Sequence, residues 1–137
     1  MSISKEYLDK LAYQINGAAI EVHKALGPGL LESVYHACLK HEFKLRNLSF
    51  VSQTVIPIFY KGIKVDAELR YDFLVENCVI VEIKSVESIL PIHEAQLLTY
   101  MKLQQVPQGR LINFNCTNIF KEGQKSFVNE FYRQLPL

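Results

Sequence analysis

Residues 70–84 read as two β-strands joined by a tight turn, because Val, Ile, Phe and Tyr dominate them and a polar Glu-Asn step interrupts the apolar run. Three charged residues lie inside this apolar hairpin, where the interior of a strand has no need of them. Asp72 is on the first strand, and Glu82 and Lys84 are on the second. Glu82 and Lys84 are two positions apart, so their side chains point to the same face.

The length of the connecting loop decides whether the two carboxylates meet. Residues that face each other in an antiparallel hairpin have a constant sum of residue numbers. A three-residue loop at 76–78 therefore places Asp72 opposite Glu82, with Cβ atoms roughly 5 Å apart, whereas a two-residue loop at 76–77 places Asp72 opposite Val81. We predict the three-residue loop.

Two interpretations of these charges stand side by side. Facing carboxylates repel each other, and a hard divalent ion such as Mg²⁺, which prefers oxygen ligands, would relieve the repulsion. Lys84, a compact positive charge beside such a site, could contact a phosphate or an attacking water. Alternatively, Glu82 and Lys84 form an exposed polar face, and Asp72 pairs with Arg70 or Lys84. The hairpin alone does not separate these interpretations.

The composition limits the class of protein. The chain has 137 residues, 49% of them hydrophobic and 21% charged, which predicts a single globular domain over 1–137. It has no long apolar run and no signal peptide, which favours a cytoplasmic protein without membrane contact. The three cysteines are far apart, so we expect reduced thiols and no zinc site. A net charge of +1 excludes a strongly basic, non-specific nucleic-acid binder, so any contact needs a local basic patch.

Apolar periodicity predicts three helices, over residues 4–26, 30–46 and 91–105. Ser4 can cap the first helix, and His23 is expected at a solvated edge near its end. In the second helix, Leu31 and Val34 are among the predicted apolar positions, with Tyr35 beside them. His36 and His41 are five residues apart, a spacing that does not favour a shared metal site.

Strands are predicted over residues 50–60, 65–75, 78–85, 110–115 and 125–129. Pro57 favours an edge strand or a bulge. The first three strands can form an antiparallel meander, and the helix before the fourth strand permits a right-handed crossover to parallel pairing. The sequence therefore predicts an α/β fold with a mixed sheet of four to five strands flanked by helices.

Three further motifs accompany the charged hairpin. Residues 29–35 read Gly-Leu-Leu-Glu-Ser-Val-Tyr, residues 96–100 begin with Gln and end with Tyr, and residues 111–114 read Leu-Ile-Asn-Phe, while residues 82–84 of the hairpin itself read Glu-Ile-Lys. In their order along the chain, over roughly residues 17–129, they resemble the GxxExxY family of the PD-(D/E)xK nuclease superfamily, with the QxxxY element of RecB-like exonucleases. The resemblance implies a restriction-endonuclease-like αβββαβ core. Tyr71 stands where the superfamily's name has Pro, a position that is widely replaced.

The resemblance also implies a metal centre. Asp72 and Glu82 would bind Mg²⁺ or Mn²⁺, with the backbone carbonyl of Ile83 as a further ligand. Lys84 would position or activate the attacking water, or stabilise the negative charge that develops.

Three other residues acquire roles by the same resemblance. Glu32 would be an outer ligand or would bind a metal-bound water. Gln96 would orient the site, and Tyr100 would contact the nucleic-acid backbone.

The function that follows is metal-dependent hydrolysis of phosphodiesters in nucleic acid, with DNA as the expected substrate. The alternative is a non-catalytic module on the same fold, which binds nucleic acid or takes part in an assembly. Either protein could need self-association or a partner protein to hold its substrate. A preformed carboxylate cluster favours the enzyme, whereas a blocked cleft, or Lys84 held in a surface ion pair, favours the module.

Overall fold

In the computed structural model, which describes residues 3–137, helices lie on both faces of one mixed sheet. The elements are α1 Lys5–Leu26, α2 Glu32–Leu45, β1 Phe50–Tyr60, β2 Ile63–Val75, β3 Val79–Lys84, α3 Pro91–Gln104, β4 Gln108–Asn113, α4 Ile119–Glu122, β5 Gln124–Val128 and α5 Glu130–Arg133. Every predicted helix and strand is confirmed to within two residues at each end. The short helices α4 and α5 were not predicted.

The sheet has the strand order β1-β2-β3-β4-β5. The pairs β1-β2, β2-β3 and β4-β5 are antiparallel, and β3 and β4 are parallel, joined through α3. The meander and the crossover are therefore confirmed. Pro57 lies on the edge strand β1 at a bulge between Ile56 and Ile58, as its missing N–H requires.

Each face of the sheet is covered by its own helices. On the α1/α2 face the buried cluster includes Leu8, Ile15, Leu39, Phe43, Phe73, Val81 and Ile83. On the α3 face it includes Leu74, Ile80, Leu97, Tyr100, Met101 and Leu111. The middle strand β3 is thus buried on both sides, and its charged residues come at the end where this burial stops. Among residues 3–137, no helix is long and apolar enough to cross a membrane.

Two expectations about helix faces are wrong. Leu31 and Val34 are exposed, whereas Tyr35 is fully buried. The Tyr35 hydroxyl donates to the Gly27 carbonyl at 2.5 Å, which turns this side of α2 inward. His23 is also buried rather than solvated, because its Nε2 lies 2.8 Å from the backbone oxygen of Cys116.

Candidate active site

The loop between β2 and β3 sets the register of the two carboxylates. Phe73 faces Val81 and Val75 faces Val79, so the loop has three residues, as predicted. This register places Asp72 opposite Glu82.

Beyond the pair Phe73 and Val81, hydrogen bonds from backbone N–H groups to side-chain carboxylates connect the two strands. The Asp72 N–H donates to Glu82 Oε1 at 2.9 Å, and the Ile83 N–H donates to Asp72 Oδ2 at 2.7 Å. Each carboxylate therefore holds the backbone of the other strand. We call Asp72 and Glu82 the carboxylate pair.

The strands change face next to this pair. Tyr71 and Leu74 both pack on the α3 face although they are three residues apart, so the alternation of β2 slips by one residue. The neighbouring strand slips as well, since Phe50 packs on the α1/α2 face and Ile56 on the α3 face. The slip in β1 coincides with Gln53, whose φ of 54° is left-handed. Such irregularities change the direction in which side chains point, and this one lies directly beside Asp72.

Asp72 lines an open cleft of about 230 Å³ together with Glu32, Ser33, His36 and Gln53. Gln53 Nε2 lies 3.4 Å from Asp72 Oδ1 and 3.2 Å from His36 Nε2. Neither contact was predicted from the sequence. Gln53 lies inside a predicted strand, where the sequence carries no signal of its left-handed backbone.

Glu82 has the most strongly perturbed carboxylate of the site. Its side chain is buried, and burial together with the negative charge of Asp72 raises the pKa of Glu82 to about 8. Hydrogen bonding from the Asp72 backbone and the charge of Lys84 oppose this rise. Without a cation, the carboxylate pair therefore holds a proton at neutral pH.

Glu32 belongs to the same electrostatic cluster. It lies in the first turn of α2, and partial burial and the Asp72 charge raise its pKa, while Lys84 and His36 lower it. The structure thus brings Glu32, as predicted from the motif, to the carboxylate pair.

Lys84 ends β3, beside Glu82. Among residues 3–137, no carboxylate lies within 4 Å of the Lys84 ammonium group, and no Lys, Arg or His side-chain nitrogen lies within 4 Å of the Asp72 carboxylate. Arg70 pairs instead with Glu68, at 3.2 Å. The described residues therefore do not form the surface ion pairs of the alternative interpretation.

A family model for the PD-(D/E)XK nuclease superfamily matches residues 9–127. The chain belongs to this superfamily. The matched range includes Asp72, Glu82 and Lys84, whose assignment to the superfamily's motif stays a prediction. Membership of the narrower GxxExxY family stays a prediction.

One solved structure supports the fold. The crystal structure of SSO0001 aligns with a TM-score of 0.53 and 21% identity, over 77% of this chain and 50% of that chain. The chain therefore spans about half the length of that structure. The likeness confirms the restriction-endonuclease-like fold. A search of curated proteins finds no match.

The donor set fits the divalent metal that nucleases of this superfamily generally use. The Ile83 N–H faces Asp72, and the C=O of a strand residue points to the same neighbouring strand as its N–H, so this carbonyl oxygen lies on the side of the pair. Among residues 3–137, no three His, Cys, Asp or Glu side chains converge to hold an ion alone. Mg²⁺ commonly needs only one or two carboxylates, with waters and phosphate oxygens completing its shell.

The two residues of the predicted QxxxY element, Gln96 and Tyr100, lie on α3. Tyr100 is buried at 5% exposure, and burial and the charges of Glu82 and Asp72 raise its pKa. It therefore lies close to the carboxylate pair. Gln96 lies one turn earlier and is exposed. The roles assigned to these two residues stay predictions.

Proposed function

We propose that the chain is a divalent-metal-dependent phosphodiester hydrolase that acts on nucleic acid, with DNA as its substrate. One observation carries the proposal: Asp72 faces the buried Glu82 at the open end of β3, one residue before the Ile83 carbonyl and two before Lys84. A solely structural role would not need two facing carboxylates, since burial and the charge of Asp72 raise the pKa of Glu82, and this repulsion destabilises the fold.

The residues divide the chemistry between them. Asp72, Glu82 and the Ile83 carbonyl would hold a divalent metal, which lowers the pKa of bound water and neutralises charge on the phosphate. Lys84 positions the attacking water or the scissile phosphate, because its ammonium group has no carboxylate partner among residues 3–137. Glu32, with its raised pKa, receives or holds a proton at the outer side of the cleft.

Two features favour catalysis over a binding module. The cleft beside Asp72 is open, with a volume of about 230 Å³. Lys84 also stays available, as a catalytic cation must.

The test is cleavage of labelled single-stranded and double-stranded DNA and RNA with Mg²⁺ or Mn²⁺. Asp72→Asn and Lys84→Ala should each lower the rate by about 100-fold or more, since each removes a charge from the reacting centre. Glu87→Gln and Lys102→Ala change exposed residues outside the cluster and serve as matched controls. Metal-dependent cleavage that persists unchanged in both site variants would contradict the proposal. Absence of cleavage, together with no Mg²⁺ binding by calorimetry, would leave the binding module.

A further inference from the structure

The strands β1 and β2 continue beyond the site as a two-stranded arm, which we define as residues 54–70. Its tip turns at Lys61-Gly62, where φ is 46° and 87°, and Tyr60 faces Ile63 across the turn. Two left-handed residues in a two-residue loop make a turn whose twist matches that of the strands. Beyond the bulge at Pro57, the arm is therefore a regular hairpin up to its end.

The tip exposes rings that have no neighbour to cover them. Every residue from 59 to 64 is exposed, and Phe59 and Tyr60 keep 68% and 59% of their surface in solvent. Ile63 adds a further exposed apolar side chain at 61%. Tyr60 and Ile63 face each other on one side of the hairpin and Phe59 lies on the other, so both sides of the tip carry exposed apolar surface of the kind that meets a partner.

The charge of the tip selects the partner. Residues 54–65 contain two lysines and no Asp or Glu. Lys61 Nζ lies 5.4 Å from the centroid of the Tyr60 ring, and Lys64 faces Phe59 in the strand register. Asp66 and Glu68 lie further toward the base of the arm, so the excess of positive charge is confined to the tip. Single-stranded nucleic acid offers phosphates to the ammonium groups and unpaired bases to the rings.

The base of the arm is joined to the site. Arg70 Nη1 donates to the Gln53 backbone oxygen at 3.1 Å, and the Gln53 side chain reaches Asp72. Gln53 and Phe59 are six residues apart, about 20 Å at the usual rise of a strand. At the ~3.4 Å per nucleotide of a helical strand, that distance corresponds to at most about six nucleotides, because an extended single strand covers it with fewer.

We infer that the tip of the arm binds single-stranded nucleic acid at most about six nucleotides from the scissile phosphate, with bases stacked on Phe59 and Tyr60 and phosphates held by Lys61 and Lys64. The distance to the scissile phosphate rests on the proposed function. The binding itself does not.

The test measures fluorescence anisotropy of labelled single-stranded DNA of about 6 and about 20 nucleotides. The double variant Phe59→Ala/Tyr60→Ala should bind the longer strand tenfold or more weakly than the natural protein, and should lose the preference for the longer strand. The double variant Tyr13→Ala/Phe120→Ala removes two equally exposed rings elsewhere, on α1 and α4, and should leave binding unchanged. Circular dichroism verifies that each variant is folded.

Equal affinity of the arm variant and the natural protein would overturn the inference. So would duplex DNA that depends on the two rings as strongly as the single strand, or an arm variant that loses only self-association in sedimentation. A natural protein that binds through the arm but cleaves nothing contradicts the proposed function alone. One that cleaves while the arm variant binds normally contradicts the arm alone, and one that neither binds nor cleaves contradicts both.

Discussion

Glu82 links the stability of the protein to pH. Its pKa in the fold is about 8, above the ~4.3 of an unfolded chain, so the folded protein holds a proton that the unfolded chain has released. Without divalent ions, the free energy of unfolding should therefore fall as pH rises from about 5 to about 8, by at most ~1.4 kcal/mol per pH unit. Urea unfolding over this pH range measures the slope.

Two comparisons assign this slope to Glu82. Glu82→Gln should flatten it, whereas Glu87→Gln, which alters an exposed carboxylate, should preserve it. Saturating Mg²⁺ should also flatten the slope, because a cation bound between the carboxylates favours the ionised form of Glu82 and lowers its pKa. A natural protein whose stability stays level or rises between pH 5 and 8 would refute this account.

Gln53 separates backbone strain from side-chain function. Its φ of 54° is costly for any residue with a Cβ atom, by roughly 1–2 kcal/mol. Gln53→Gly should therefore give a more stable protein than Gln53→Ala, by about 1 kcal/mol in urea unfolding. Both variants lose the contact with Asp72, so we expect nuclease activity to fall by a similar factor in each. If the Ala variant is the more stable one, the left-handed backbone at this position is not a source of strain.

For single residues, the sequence predicts those positions that follow from the two-residue period of a strand. The pairing of Asp72 with Glu82 follows from loop length alone, so it could be predicted and is confirmed. The contacts of His36 and Gln53 depend on the left-handed backbone at Gln53, which the residue types in this strand do not predict. His23 was misplaced for a related reason, since its partner is a backbone oxygen 93 residues away.

The packing of α3 on β4 depends on Gly109. A Cβ atom there would lie 2.6 Å from Met101 Sδ and 2.9 Å from Leu97 Cδ1. Gly109→Ala should lower the free energy of unfolding by about 1–3 kcal/mol through overpacking, and should displace the helix that carries Tyr100.

A second glycine provides the control. In Gly17→Ala the new Cβ would meet only the end of the Arg46 side chain, and the helical position gains propensity, so stability should change little. Thermal unfolding of both variants makes the comparison. Equal stability of the two would show that α3 and β4 have room that the structure does not indicate.

Among elements, length decided which could be predicted. The helices α1, α2 and α3 span at least 14 residues and repeat their apolar positions several times. The helices α4 and α5 have four residues each, which is too short for any period to appear. The buried side of α2 was misassigned because the hydroxyl of Tyr35 is satisfied inside the fold, so this polar residue is fully buried.

For the whole molecule, the order of elements was sufficient to predict the topology. Two adjacent antiparallel hairpins and one helical crossover leave few arrangements, and the observed mixed sheet is one of them. The projection of the arm could not be predicted in this way. The arm projects because β1 and β2 extend beyond the part of the sheet that the helices cover.

A net charge of +1 makes the salt dependence of binding informative, since 14 acidic residues nearly balance 15 lysines and arginines and the overall charge hardly attracts phosphates. Each phosphate contact on a single strand contributes about 0.7 to the slope of log K against log salt concentration. Lys61→Ala/Lys64→Ala should therefore reduce the magnitude of that slope by about 1.4 between 50 and 200 mM salt, a range typical for such measurements. Lys10→Ala/Lys24→Ala removes the same charge from α1, where both lysines pair with glutamates, and should leave the slope as it is. If both double variants change the slope equally, then phosphate is held by the overall charge of the protein, and the arm has no special share in it.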